Sequence, residues 1–191
     1  MTTLLLVRHG ATEWTLARRL QGHADVDLCD RGRQDVRALS PIVARWRPRS
    51  VVVSPLLRTR TTARLLCAPL AAPPDPVVDA AWIEHGLGEW EGLTPDAIGA
   101  DYARWRAGEI VPPGAEPARA IRARVARAVG AAARLPGPVL VATHGGTIRA
   151  VLAACVGLEP SRIEPVAAPS LTVLDVAGDG SGRLRHLNVV P

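Results

Sequence analysis

The sequence contains no lysine and no phenylalanine, one methionine and only three cysteines among 191 residues. Every cationic side chain other than histidine is therefore an arginine, and the formal net charge is +5. With abundant alanine, proline and glycine, this is the composition of a GC-rich coding sequence. The arginines lie scattered among acidic residues in runs no longer than a pair, with little aromatic interleaving. A nucleic-acid partner calls for a clustered basic face, so the charge pattern argues against one, and a small anionic substrate accounts for the surplus. Cys29, Cys67 and Cys155 are odd in number, far apart and form no CxxC pair. That excludes a disulfide framework and a zinc site and leaves buried small hydrophobes in a reducing compartment. No apolar run approaches the roughly 20 residues of a membrane span. The run Leu4 to Val7 stops at Arg8, too brief for a signal peptide, so the expectation is a soluble cytoplasmic protein. A Walker loop and an acidic metal cluster are absent as well.

What is present suffices for a core. Apolar residues make up 48% of the chain and charged residues 21%, which excludes intrinsic disorder; the length predicts a single domain over residues 1–191. Leu4 to Val7, Ser50 to Val53, Val77 to Ile83 and Val139 to Thr143 read as strands, most of them continuous apolar runs buried on both faces. Helices are predicted from a cap at Asp30 with Val36, Leu39, Ile42 and Val43 as the apolar stripe, over Arg58 to Cys67, over Glu116 to Arg134, and from Gly145 through Val156. Leu171 to Val176 and Leu184 to Val190, joined by a glycine-rich link, predict a hairpin. The alternation gives an α/β fold: a three-layer α/β/α sandwich with a mainly parallel sheet. The irregular stretch of roughly 85–113, with Gly86, Gly88 and Gly92, reads as a lid-like insertion over the active site. Trp82, Trp90 and Trp105 in its neighbourhood either form an apolar wall that selects a bulky alcohol or simply pack.

Arginine and histidine recur where the predicted strands end: Arg8-His9-Gly10, Arg58, Glu84-His85-Gly86 and His144-Gly145-Gly146. Ligands of open α/β sheets bind outside the carboxyl ends of the strands, so these groups are expected in one cleft. Two guanidiniums match phosphate oxygens, and the turn at Gly10 offers backbone N–H groups. An imidazole between arginines stays neutral and nucleophilic. A carboxylic acid with a raised pKa would protonate a leaving alkoxide. Together these describe phosphoryl transfer to histidine.

The stretch Leu6-Val7-Arg8-His9-Gly10-Ala11-Thr12-Glu13-Trp14 resembles the signature of the histidine phosphatase superfamily, which includes the cofactor-dependent phosphoglycerate mutases. Gln21-Gly22, Asp25 to Leu28 with Arg31-Gly32, Ser54-Pro55-Leu56-Leu57-Arg58-Thr59, and Glu84 with Gly88-Glu89-Trp90-Glu91-Gly92 follow in the family's order. So do Pro113-Gly114-Ala115-Glu116 with Arg124-Val125, and Thr143-His144-Gly145-Gly146. The resemblance implies that His9 carries the phosphoryl group and that Glu84 serves as general acid and then as base. It also implies that Arg8, Arg58 and His144 bind the phosphoryl oxygens. Gln21, Gly22 and Gly145 would line the phosphate pocket, Thr15 would contribute a hydrogen bond, and His85 would touch substrate at the rim. His23 and His186 are assigned to the surface. The sequence departs from the family at Thr15, where asparagine is usual, at Cys29, where threonine is common, and at Ala115 and Pro117.

These features predict a metal-independent phosphomonoester phosphatase without cofactor, acting on a small sugar, nucleoside or cobalamin-precursor phosphate. The alternative is a cofactor-dependent phosphoglycerate mutase. Glu84-His85-Gly86-Leu87 lacks the cationic segment of the mutases, and the chain ends soon after its last strand, which favours hydrolysis. A non-catalytic phosphate-binding module would be expected to lack His9, Glu84 or His144, and all three are present. A small phosphorylated substrate is the expected partner, with no nucleic acid and no membrane; a homodimer is compatible with the sequence.

Overall fold

The computed structural model describes residues 1–191. Six strands form one sheet in the order β3-β2-β4-β1-β5-β6: β1 (Thr2–Arg8), β2 (Ser50–Val53), β3 (Pro76–Val78), β4 (Val139–Thr143), β5 (Ser170–Val176) and β6 (Gly182–Val189). The β1–β4, β2–β4 and β2–β3 pairings are parallel, while β1–β5 and the β5–β6 hairpin are antiparallel. Successive strand side chains point to opposite faces, and β1 shows the consequence. Leu4 and Leu6 pack with Ile121, Val125, Val129, Ile148 and Leu152 of α6 (Ala118–Ala132) and α7 (Gly145–Val156). Leu5 and Val7 pack with Val36, Leu39, Val43 and Leu66 of α2 (Asp30–Ala44) and α3 (Leu57–Cys67). The central sheet is thus covered on both faces, giving the expected three layers. No helix is long and apolar enough to cross a membrane.

Three local expectations are corrected. The predicted strand Val77 to Ile83 is an exposed three-residue edge strand at Pro76–Val78 followed by a 3-10 turn at Ala80–Trp82. Asp79 stops the strand because its carboxylate accepts from the Ala81 N–H at 2.8 Å and caps the turn. Asp30 does not cap α2. Cys29 does, its thiol accepting from Gly32 N–H at 3.4 Å while donating to the Ala11 carbonyl at 3.3 Å. The helix predicted over Glu116 to Arg134 starts at Ala118, after Pro117, where the fixed proline φ suits a helix entrance.

Two short helices, α4 (Pro95–Ile98) and α5 (Ala100–Ala107), occupy the glycine- and tryptophan-rich stretch. α1 (Glu13–Leu16) follows β1 directly. The loop at His9 is fixed by the approach of α2. A Cβ on Gly32 would overlap the Ala11 carbonyl, and one on Gly10 would come within 2.7 Å of the Gly32 carbonyl. Only glycine lets the two backbones meet.

Candidate active site

Elements from four parts of the chain deliver the site. The register Arg8↔Thr143 places the ends of β1 and β4 side by side, so Arg8-His9 and His144-Gly145 emerge as neighbours. The adjoining strand β2 leads through buried Ser54 to Arg58 in the first turn of α3. Glu84 arrives from the other side, after the 3-10 turn. Arg8, His9, Gln21, Gly22, Arg58, Glu84, His85 and Gly145 all line one cavity of about 190 Å³.

His9 is 3% exposed, and its Nδ1 lies 2.8 Å from the Gly10 carbonyl. A carbonyl only accepts, so Nδ1 holds the proton and Nε2 keeps its lone pair. Burial holds the imidazole well below its ordinary pKa, and the positive charges of His144, Arg58 and Arg8 add to the effect. The burial contribution is the larger and was missed from sequence, where only the neighbouring arginines were visible. The His144 ring stands edge-on to His9, with centroids 5.2 Å apart. Its Nε2 is 2.7 Å from the Ser54 hydroxyl, and its buried Nδ1 has no protein partner. With Ser54 donating, Nδ1 carries a proton that can be given to an oxyanion.

The arginines are anchored through part of their donor set. Arg58 donates to the carbonyls of Ala24 at 2.6 Å and Gly22 at 2.8 Å, and Arg8 donates to the Val166 carbonyl. The Nε atoms of both are buried without a partner. Buried donors are nearly always satisfied in folded proteins, and two orphans beside an unpartnered imidazole nitrogen fit an oxyanion. Burial draws the Arg58 pKa down to about 10, which leaves it cationic at neutral pH.

Glu84 corrects an expectation. The sequence reading called for a raised pKa; in the free protein the carboxyl is held far below the carboxylate range. Burial alone would raise it. Opposing that are the charges of His144 and His85 and the backbone N–H groups of His85 at 3.0 Å and Gly146 at 3.1 Å. Thr147 N–H adds a further bond at 3.1 Å, so the carboxylate caps the N-terminal turn of α7 and meets its dipole.

Neither Thr15 nor the wholly buried His144 lines the cavity itself; for Thr15 the local bonds show why. Its hydroxyl closes a capping box with Thr12, lying 3.1 Å from the Thr12 backbone nitrogen, and accepts from the Gln21 amide at 3.0 Å. It aims Gln21. The tryptophans divide. Trp82 is wholly buried in the core, Trp105 lines the cavity, and Trp90 supports Trp105 edge-on at 5.9 Å. His23 and His186 are exposed, as expected, although His23 Nε2 lies 2.9 Å from the Glu84 carbonyl.

Residues that sequence reasoning missed include Ser54, Thr147 and two further arginines, Arg106 and Arg149, in the cavity wall. Arg149 was findable, since it lies four residues after Gly145 and so shares its helix face. Arg106 carried no such signal. Arg124 was placed on the family helix without a role. It is bidentate to Glu116 at 2.9 and 2.6 Å and also donates to the carbonyls of Ala81, Ile83 and Glu84, so it fixes the backbone beneath the acid. Arg124→Met leaves Glu116 unpaired and is expected to lower stability by about 2 kcal/mol, less than the ~3–5 of a fully buried pair. Urea denaturation reads this, and a change within ±0.5 kcal/mol, typical of a neutral surface site, would contradict it.

The profile of the histidine phosphatase superfamily (branch 1) matches residues 4–190. The chain belongs to this superfamily. Two kinds of curated relative stand at similar distance. A 2,3-bisphosphoglycerate-dependent phosphoglycerate mutase of Gloeobacter violaceus is 33% identical over 87% of this chain and 81% of its own. A glucosyl-3-phosphoglycerate phosphatase of Mycolicibacterium vanbaalenii is 32% identical over 81% and 74%. Among solved structures, a mycobacterial glucosyl-3-phosphoglycerate phosphatase in complex with VO3 superposes with a TM-score of 0.85 at 28% identity. That match covers 99% of this chain and all of the other. Members named for a phosphatase and for a mutase activity both stand among the relatives, so the reading of the reaction rests on the site.

Proposed function

We propose that this chain hydrolyses phosphomonoesters through a phosphohistidine on His9, without metal. The observation that carries the reading is the His9 tautomer: Nδ1 is committed to Gly10, Nε2 is bare, and the open donors around it are the Nε atoms of two arginines and Nδ1 of His144. In the first step Nε2 attacks phosphorus as the P–O ester bond breaks. Unsatisfied donors on Arg8, Arg58 and His144 take up charge on the equatorial oxygens. The leaving oxygen takes a proton from Glu84. That carboxyl is ionised in the free protein, so its proton must come with substrate: a phosphate dianion beside it raises its pKa, and phosphomonoesters titrate near neutrality. In the second step Glu84, again a carboxylate, accepts the proton of a water that attacks phosphorus; phosphate departs and neutral His9 is restored. The second role matches the state in which the free structure holds the group.

Inorganic phosphate released from a panel of phosphomonoesters, with EDTA present and His9→Ala as control, tests this reading. Metal-independent release that vanishes in the variant is the expected result. Phosphoryl transfer between phosphoglycerates without net release would show the mutase reaction instead, and loss of activity in EDTA would contradict the cationic site.

The depressed His9 pKa gives a second expectation. The folded state binds fewer protons than the unfolded one below the ordinary imidazole pKa of about 6.5. Stability therefore falls as pH drops through that range, and it recovers above it. By nitrogen NMR, the ring is expected to stay neutral, with the proton on Nδ1, at pH values well below 6.5. A midpoint at the ordinary value would contradict the burial argument.

A further inference from the structure

His23 is exposed, and neither it nor Glu91 lines the cavity that holds His9. Both side chains nevertheless bridge two of its walls. One wall is the turn of residues 21–24, whose Gly22 and Ala24 carbonyls accept from Arg58 at 2.8 and 2.6 Å. The other is the acid segment of residues 84–87, from which Glu84, His85 and Leu87 face the cavity. At their outer ends the two segments are joined through the backbone. Leu20 N–H donates to the Leu93 carbonyl at 2.9 Å, and Gly92 N–H donates to the Leu20 carbonyl at 2.7 Å. Closer to the site two side chains continue the join, and they cross the gap in opposite senses.

Glu91 reaches across from the acid side. Its Oε1 accepts from His23 N–H at 2.9 Å and from Leu87 N–H at 3.1 Å, so one carboxylate oxygen holds a backbone group of each wall. It fits because Gly22 has a φ of +50° and no side chain; a Cβ there would lie 2.1 Å from the same oxygen. His23 reaches the other way. Its Nε2 lies 2.9 Å from the Glu84 carbonyl and donates to it, since a carbonyl only accepts. The Glu84 carbonyl takes a longer bond from Arg124 at 3.3 Å. Proton transfer to a leaving oxygen needs the donor within hydrogen-bond reach, and a misplacement of about 1 Å can cost 10²-fold. Arg58, held by the 21–24 turn, registers the phosphoryl group; residues 84–87 register the acid. His23 and Glu91 fix the distance between the two.

We propose that His23 and Glu91 are positioning residues, crossed straps that keep the proton donor Glu84 in register with the phosphoryl group bound at Arg58. The proposal rests on the phosphatase reading above, with Glu84 as general acid. It predicts a particular defect. Without the straps the pocket keeps its charged groups, but the acid no longer meets the leaving oxygen.

The test is the ratio of kcat/KM for an alkyl phosphate to that for 4-nitrophenyl phosphate, whose leaving group is stable without a proton. Taken within each variant, the ratio cancels any loss common to both esters, an unfolded fraction included. Glu91→Ala is expected to lower it at least about tenfold, a part of the 10²–10⁴ that general acid catalysis supplies. Glu91→Gln should return it to within about threefold of wild type, since both bonds end on Oε1 and an amide oxygen can accept the same pair. His23→Ala should lower it by about threefold, less than Glu91→Ala because Arg124 still holds the Glu84 carbonyl; it decides the matter alone if Glu91→Ala does not fold. An unchanged ratio in either folded alanine variant, or a glutamine variant as impaired as alanine, overturns the straps and leaves the phosphatase reading standing. If the wild type hydrolyses no ester, or Glu84→Gln shows no leaving-group split, that reading fails, and calorimetry with inorganic phosphate decides the straps. There Glu91→Ala should bind phosphate at least about threefold more weakly, because the freed turn carries the carbonyls that aim Arg58. An unchanged Kd overturns them.

Discussion

His9→Ala is expected to lower kcat/KM for phosphomonoesters by at least about 10⁴-fold, the scale of removing a covalent nucleophile whose neighbours work only with it. Two structural facts set the size of the effect. The nucleophilic nitrogen is prepared by a backbone bond, Nδ1 to Gly10 at 2.8 Å, so no nearby side chain inherits the role. His144 cannot substitute, because its Nε2 is engaged with Ser54. The variant should still bind inorganic phosphate, since Arg8, Arg58 and Gly145 keep their places, and calorimetry can show that the pocket survives. Retention of more than about a hundredth of the activity, outside the range for a lost nucleophile, would mean that water attacks phosphorus directly.

Glu84→Gln should divide substrates by leaving group. For alkyl phosphates, whose alkoxide needs a proton as the P–O bond breaks, kcat/KM is expected to fall by about 10²–10⁴-fold, the usual worth of general acid catalysis. For 4-nitrophenyl phosphate, whose leaving group is stable as an anion, the fall should be less than about tenfold. The turnover number should drop for both, because water attack on the phosphoenzyme loses the same residue as its base. A burst of nitrophenol before a slow steady state is the sign to look for. Glutamine is an imperfect replacement here. Its amide offers donors where the backbone N–H groups of His85, Gly146 and Thr147 need acceptors, so circular dichroism should accompany the kinetics. Equal losses of kcat/KM on both substrates would remove Glu84 from the proton-donor role.

Much of this site was readable before any coordinates because its residues sit at strand ends. A buried parallel strand announces itself as an unbroken apolar run, and the polar residue that ends the run is placed in the crevice by topology alone. Arg8-His9 after Leu4 to Val7, and His144 after Val139 to Thr143, are of this kind. What failed lay outside the strands. Asp79 turned an expected strand into a cap through one side-chain bond, and Cys29 took the capping place assigned to Asp30 because the helix entrance is set by the Ala11 backbone. The Glu84 ionisation was misjudged because it depends on His144 and His85 and then on backbone N–H groups from two segments, which a sequence shows only once the start of α7 is known to lie against residue 84. Thr15 has its hydroxyl turned to Thr12 and Gln21 by a box of local bonds, and the family comparison alone suggested otherwise. Arg106 belongs to a short helix whose approach to α7 no periodicity encodes.

The most direct test of the account is the covalent intermediate itself. Wild-type protein mixed with a phosphomonoester and quenched at alkaline pH, where phosphohistidine survives, should show a mass increase of one phosphoryl group on the peptide containing His9, and the label should be on Nε2. The account predicts that this species appears within one turnover, decays with release of inorganic phosphate, and accumulates in Glu84→Gln. Hydrolysis at full rate with no phosphorylated peptide, or with the phosphoryl group on another residue, would contradict it.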